Sequence, residues 1–395
     1  MNERDANTQA EPNPGELIVD LRHRDAVVAM MTGELGLASI GDMDESADLD
    51  LVLLKDLDLT AYATGAKAMY ANELAAQFPD GSATDLDVLL HDLRHRFARD
   101  VGFVPEMGKN REAIVGFPQH KSLPNNPVPV PHFLLDITSP APGAGVTVGV
   151  VDTPLVRHSA LPPGEVDSDE DLAAPQRDQF WAGHATFVAG LIRQSAPEAH
   201  LDLRAGLSAD NGKSPGWDLA KKIAGFRHSD IDILNLSLGC ATPDGRPPLV
   251  LSRALEVLDG RILIVASAGN RNLDPDAPGQ IWPAAATAVV AVGAARHTEG
   301  GENLAAFSMD RSWVDCVASG VKVTSTYPNK SVLGTNDADD NGWAQWSGTS
   351  FAAAIVSGKV AARMTEKDLN ARDALDALLE DPDSGVRKFP ENGNA

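Results

Sequence analysis

Four nearly unbroken apolar runs, at residues 146–152, 231–238, 262–266 and 289–293, set the architecture open to this chain. A strand with one wet face alternates apolar and polar side chains, whereas a run that is apolar throughout must be covered on both faces. Such strands belong to parallel sheets, where each crossover lays a helix against the sheet. The segments between the runs supply helices at 184–194, 217–228 and 249–258, and another follows Ser350. The pattern predicts an α/β fold, a parallel sheet flanked by helices, with any chemistry in the crevice beyond the carboxyl ends of the strands.

Residue types suited to nucleophilic catalysis stand at those borders. Asp152 closes the first run, while His184 and Ser350 each open a small-residue helix start, Gly183-His184-Ala185-Thr186 and Gly348-Thr349-Ser350. A serine hydroxyl is a poor nucleophile at neutral pH, so a base must take its proton as it attacks. Neutral imidazole titrates near the operating pH, and a buried carboxylate fixes its tautomer and stabilises the imidazolium that forms. The segment from Arg261 to Asn270 reads as a buried strand that opens into small residues and ends on an amide. Asn270 is therefore the candidate donor to a tetrahedral oxyanion, a role typically worth on the order of 3 kcal/mol.

Six motifs in one order carry a family resemblance: Val150-Val151-Asp152-Thr153, Gly183-His184-Ala185-Thr186-Phe187-Val188-Ala189-Gly190, Asn235-Leu236-Ser237-Leu238-Gly239, Ala268-Gly269-Asn270, Trp282-Pro283-Ala284 and Gly348-Thr349-Ser350. On these, residues 130–365 resemble the subtilisin-like serine proteases, the subtilases. The resemblance implies a serine endopeptidase acting through an acyl-enzyme on Ser350, with His184 as base then acid, Asp152 as orienter, and Asn270 with the Ser350 backbone N–H as the oxyanion hole. It also implies that Ser237, Leu238 and Gly239 pair with the backbone of a peptide or protein substrate, and that Ala268 and Gly269 line a specificity pocket. His158 then corresponds to a loop position rather than the base. Three departures stand at motif edges: Pro154 after Asp152-Thr153, Phe187 where a second histidine is usual, and Ala354-Ile355 where Pro-His is usual. None replaces a proposed catalytic side chain. Two rivals follow from them: a dedicated maturation protease acting on one peptide, and a protease-fold binding module that has lost its activity.

The rest of the chain divides into a disordered tail (1–14), a propeptide-like or accessory α+β region (15–120), a Pro-rich linker (121–131), the catalytic domain (132–365) and a C-terminal helix with an acidic tail (366–395). The α+β region starts β-α-β, with strands near 16–21 and 50–54, a helix over 25–35, and further helices over 61–77 and 84–100. Its position resembles that of a subtilase propeptide, which implies an intramolecular inhibitor and processing near the linker. A formal net charge of −23 argues against nucleic acid and anionic membrane surfaces as partners, and nothing in the sequence fixes an oligomeric state. The first residues lack a basic and apolar leader, so a cytoplasmic location is expected, or secretion if a leader has been removed. Cys240 and Cys316 sit in no metal or redox spacing and are expected to be buried free thiols. His91 and His95 lie one helical turn apart without a third ligand, Arg271 follows the candidate oxyanion donor as a surface residue, and the acidic stretch 165–171 reads as a solvated loop. The stretch 337–342 resembles half a calcium loop but lacks the closing glutamate, so an Asn-Gly hairpin tip is favoured. No cofactor or metal is expected to be needed, with structural calcium the one candidate.

Overall fold

The computed structural model describes residues 12–37, 40–78, 81–115, 127–130, 142–172, 179–242, 244–258, 260–270, 279–298, 301–328 and 342–389. The linker apart from 127–130, Arg271, and the acidic positions of the half calcium loop lie outside the described residues.

Among the described residues nine strands form the central sheet. Its order is Val386–Lys388, Cys316–Ser319, Val289–Thr298, Leu263–Ser267, Ile233–Leu236, Thr147–Asp152, His200–Ala205 and Val166–Ser168, with Gly301–Leu304 paired beside Val289–Thr298. The six pairings from Cys316–Ser319 to Val166–Ser168 are parallel, and Gly301–Leu304 and Val386–Lys388 join antiparallel. All four apolar runs became central strands, each buried on both faces as a crossover sheet requires. From Thr147–Asp152 the chain goes to Val166–Ser168 and His200–Ala205 on one side and then to Ile233–Leu236 on the other. Asp152 thus ends the strand at which the winding reverses, where α/β sheets open a crevice.

Two helices on the same side of the sheet control the geometry of that crevice, His184–Ser195 and Thr349–Lys367. They meet at Gly358, where a Cβ would lie 2.7 Å from the Ile192 carbonyl oxygen. Gly190 performs the same service toward Val323–Thr326, since a Cβ there would fall 2.2 Å from Thr326 Oγ1. Absence of these two side chains lets the histidine helix pack closely on both the serine helix and Val323–Thr326. Ala354-Ile355, in place of Pro-His, leaves Thr349–Lys367 unbroken over 19 residues.

Two expectations need correction here. The acidic stretch 165–171 contributes Val166–Ser168 as an edge strand, with Val166 inside the core and Glu165, Asp169 and Asp171 paired to Arg193, Lys222 and Arg157. One buried valine and a parallel neighbour suffice to recruit it. After the helix Ala371–Glu380, Val386–Lys388 adds to the sheet edge rather than running on as tail.

Residues 12–115 fold over a second, antiparallel sheet ordered Met43–Ser46, Leu51–Leu54, Pro12–Asp20, Met107–Val115, so the first strand starts inside the stretch read as a disordered tail. Helices including Arg24–Ala29 and Asp85–Arg96 bury Leu17, Val19, Val27, Leu86, Leu89 and Leu93 against one face. Asp85–Arg96 begins with a full capping box, Thr84 and Asp87 each accepting from the other's backbone N–H. The other face carries Ile18, Leu51 and Leu53 into the core that includes Trp217, Leu219 and Val250 of the helices Gly216–Ala224 and Leu249–Glu256. Met107–Val115, which the sequence analysis did not read as a strand, extends past this sheet. It runs between Lys213–Pro215 and Leu238–Gly239, antiparallel to both.

Candidate active site

Asp152 and His184 are both buried, and the imidazole is held by the acid: His184 Nδ1 lies 2.8 Å from Asp152 Oδ1 and 2.9 Å from Oδ2. The carboxylate is itself fixed by the next residue, because the Thr153 backbone N–H donates to Oδ1 at 2.7 Å. Thr153 Oγ1 in turn accepts from the Ala185 N–H at 3.2 Å, so one threonine ties the acid to the first turn of the histidine helix. Pro154 lies just beyond this arrangement and leaves it undisturbed. With Nδ1 committed to Asp152, Nε2 is the nitrogen left for proton transfer.

Aromatic rings wall the imidazole. Ring centroids of Trp346, Phe351 and Trp181 stand 5.6, 5.5 and 6.2 Å from that of His184. Phe187, which replaces the usual second histidine, packs at 4.5 Å on Phe351 and 5.7 Å on Trp346. The substitution therefore belongs to the apolar wall beneath the site. Since Phe351 follows Ser350 directly, the same contacts set the first turn of the serine helix against the imidazole.

Ser350 is the second residue of its helix, and its Oγ donates to the Ser237 carbonyl at 3.2 Å. Among the described residues no hydrogen bond joins Oγ to His184, so attack requires the hydroxyl to swing from Ser237 toward Nε2. Ser237 Oγ lies 2.8 Å from the Ser350 carbonyl and 2.9 Å from Asn235 Oδ1, and Asn235 Nδ2 donates to Ser357 Oγ at 3.1 Å. A buried polar chain thus pins the serine helix to the strand Ile233–Leu236. Asn270 is oriented through its oxygen, which accepts from the Thr349 N–H and Thr349 Oγ1, each at 2.9 Å. Thr349 Oγ1 also accepts from the Gly269 N–H at 3.0 Å. The amide nitrogen stays near the serine turn, 3.6 Å from where a Cβ on Gly348 would stand.

The sequence-derived candidates therefore come together. Leu238 and Gly239 pair with Val115 and Ile114. Ala268 belongs to a small apolar cluster with Ala241, Ile281, Met309 and Val314, against which Ile114 packs. Gly269 needs its glycine, at φ 99°, because a Cβ would press on Ile281 at 3.1 Å. His158 is elsewhere: its Nδ1 accepts from the Ala160 N–H and its ring packs on Trp343, with burial lowering its pKa. Cys240 and Cys316 are free and buried, each thiol pushed up to about 12 by burial. His91 and His95 pack edge-on to Tyr70. Among the described residues no three His, Cys, Asp or Glu side chains converge as a metal site, and no helix is long and apolar enough to cross a membrane.

Sequence reasoning missed Thr349 as the group that aims Asn270, the aromatic wall, and the strand lying in the cleft. Only the first left a signal, a hydroxyl residue between Gly348 and Ser350.

A parallel sheet whose winding reverses at an acid, with imidazole and hydroxyl presented by two crossing helices, defines an α/β hydrolytic fold built for serine chemistry. Known proteins specify the family. The family model described as the subtilase family matches residues 143–381. Subtilisin BL of Lederbergia lenta is 30% identical over 55% of this chain and 76% of its own length. The major intracellular serine protease of Bacillus subtilis is 29% identical over 55% and 68%. Fervidolysin from Fervidobacterium pennivorans, a keratinolytic enzyme related to subtilisin, shares the fold with a TM-score of 0.61 over 96% of this chain and 58% of its own, at 18% identity. The chain belongs to the subtilase family and is a subtilisin-like serine protease acting on peptide or protein substrates.

Proposed function

We propose that Ser350, His184, Asp152 and Asn270 carry out peptide-bond hydrolysis, and that residues 12–115 hold the enzyme shut until displaced. The observation that carries the catalytic reading is the imidazole fixed by both oxygens of Asp152 beside the first turn of the serine helix. Ser350 Oγ bonds to the substrate carbonyl carbon as its proton passes to His184 Nε2. Asn270 and the Ser350 backbone N–H donate to the oxyanion. The C–N bond then breaks, the leaving amine takes the proton from His184, and water repeats the sequence to release the acid and restore the serine.

The shut state rests on the strand in the cleft and on ion pairs across the face, in several of which residues 12–115 supply the carboxylate and the protease supplies the cation or donor. Asp44 accepts from Trp217 Nε1 at 2.8 Å and pairs with Lys221, Asp48 lies 2.9 Å from His228 Nε2, Glu112 pairs with Lys213 at 2.6 Å, and Glu106 pairs with Arg253. Calcium, processing position and cellular location play no part in this reading. A fluorophosphonate probe with intact mass measurement tests it. Labelling that disappears in Ser350→Ala and rises when residues 1–115 are lost supports both halves. No labelling of the chain after that loss favours the inactive binding module instead.

A further inference from the structure

The strand in the cleft is a worked example of what the cleft accepts. Met107–Val115 lies antiparallel to Leu238–Gly239 in the register Val115 to Leu238 and Ile114 to Gly239, and antiparallel to Lys213–Pro215 in the register Ala113 to Ser214. Main-chain pairing of this kind is indifferent to sequence, so selectivity must come from where the side chains go. Two of them are enclosed by the protease. Ala113 is 1% exposed, within the core that also holds Leu207, Trp217, Leu238 and Cys240. Ile114 is half-buried and packs on the cluster of Ala268, Ile281 and Met309. The backbone approach is equally tight, since a Cβ on Gly216 would come 2.6 Å from the Arg111 carbonyl oxygen. One further contact fixes the frame: Asn110 Oδ1 accepts from the Trp217 N–H at 2.8 Å.

We infer that the cleft selects extended peptides carrying a small residue, such as alanine, followed by a branched aliphatic residue opposite Gly239. The inference rests on the reading of this cleft as the peptide-binding groove. A side chain much larger than alanine at the first position must displace the buried core that Ala113 shares with Trp217 and Leu238, and filled cores do not yield that volume cheaply. A charge at the second position would lose water against the apolar side chains of Met309 and Ile281. A peptide so seated would present its next-but-one carbonyl opposite Ser237, whose own carbonyl oxygen is 3.2 Å from Ser350 Oγ.

The test uses the full chain with Ser350→Ala, so that nothing turns over, and adds Ala113→Phe to unseat the strand. Circular dichroism checks the fold, and Ile114→Asp is the alternative unseating change if the first variant fails to fold. A fluorescein-labelled peptide Asn-Arg-Glu-Ala-Ile-Val-Gly is expected to bind, read by anisotropy, and to lose at least tenfold in affinity when its alanine becomes phenylalanine or its isoleucine becomes aspartate. Equal affinity of the three peptides, or binding by none, overturns the inference. The catalytic reading fails by a different result: selectivity intact, yet no fluorophosphonate labelling once Ser350 is restored.

Discussion

Thr349→Val isolates how Asn270 is aimed. Valine keeps the shape of threonine but removes the Oγ1 that donates to Asn270 Oδ1 at 2.9 Å and accepts from the Gly269 N–H at 3.0 Å. Asn270 Oδ1 retains the Thr349 backbone N–H at 2.9 Å, so its amide is loosened rather than released. If the full oxyanion contact is worth about 3 kcal/mol, a loosened amide that forfeits about half of it loses about 1.5 kcal/mol, roughly a tenfold fall in kcat. KM should hardly move, because the contact strengthens only as the oxyanion forms. Separately, Gly269 keeps a buried N–H without a partner, at a cost to folding of about 1–3 kcal/mol. Peptide hydrolysis gives kcat and KM, and urea unfolding gives stability. The decisive comparison is made in an Asn270→Ala background, where kcat has already fallen by about 100-fold or more. There Thr349→Val should lower stability again but leave kcat unchanged. A further tenfold fall in that background would refute the idea that Thr349 acts through Asn270.

Asp152→Asn is expected to keep the fold while lowering kcat by about four orders of magnitude, since an amide opposite Nδ1 permits the wrong tautomer; matched thermal melts beside a stopped reaction check it. Gly358→Val should destabilise by more than about 2 kcal/mol in urea unfolding, its branched side chain driving into the Ile192 carbonyl and parting the two helices that carry His184 and Ser350. Raising salt from about 0.05 to 1 M should speed probe labelling of Ser350 in the uncleaved chain, because the exposed pairs such as Glu112 with Lys213 are screened; a rate that falls or stays flat counts against electrostatic closure. Asp20, whose carboxyl the Arg22 side chain holds down to about 2, also faces Arg253 across the interface. Its folded pKa lies below the ordinary carboxylate value, so its stabilisation is present above about pH 4 and lost as pH falls toward 2. Asp20→Asn should flatten that part of an acid-unfolding curve.

The central sheet was legible because burial on both faces leaves an unbroken apolar signature, and the runs ending at Asp152 and near Asn270 could be placed with their functional ends outward. His184 and Ser350 were legible because helix starts need small residues and the chemistry needs those two groups. What escaped were features whose cause is a neighbour rather than a pattern. Met107–Val115 reads Met-Gly-Lys-Asn-Arg-Glu-Ala-Ile-Val, polar and without alternation, since it takes its partners from three separate segments. Val166–Ser168 was hidden in acids because parallel pairing with His200–Ala205 needs only one buried side chain. The serine hydroxyl's resting partner, the Ser237 carbonyl, depends on two strands' worth of tertiary placement and leaves no trace in spacing.

Met107–Val115 belongs to two structures at once: it closes the edge of the small antiparallel sheet and fills the protease groove. Its departure from the groove must either strip that edge or lift the whole small domain away, so partial opening has no comfortable resting point. Under the proposed shut state, access to Ser350 is tied to the folding stability of a domain that contributes no reacting atom. Changes as remote as Leu17 or Leu89, in the core under that sheet, would then act as dials on how readily the enzyme wakes.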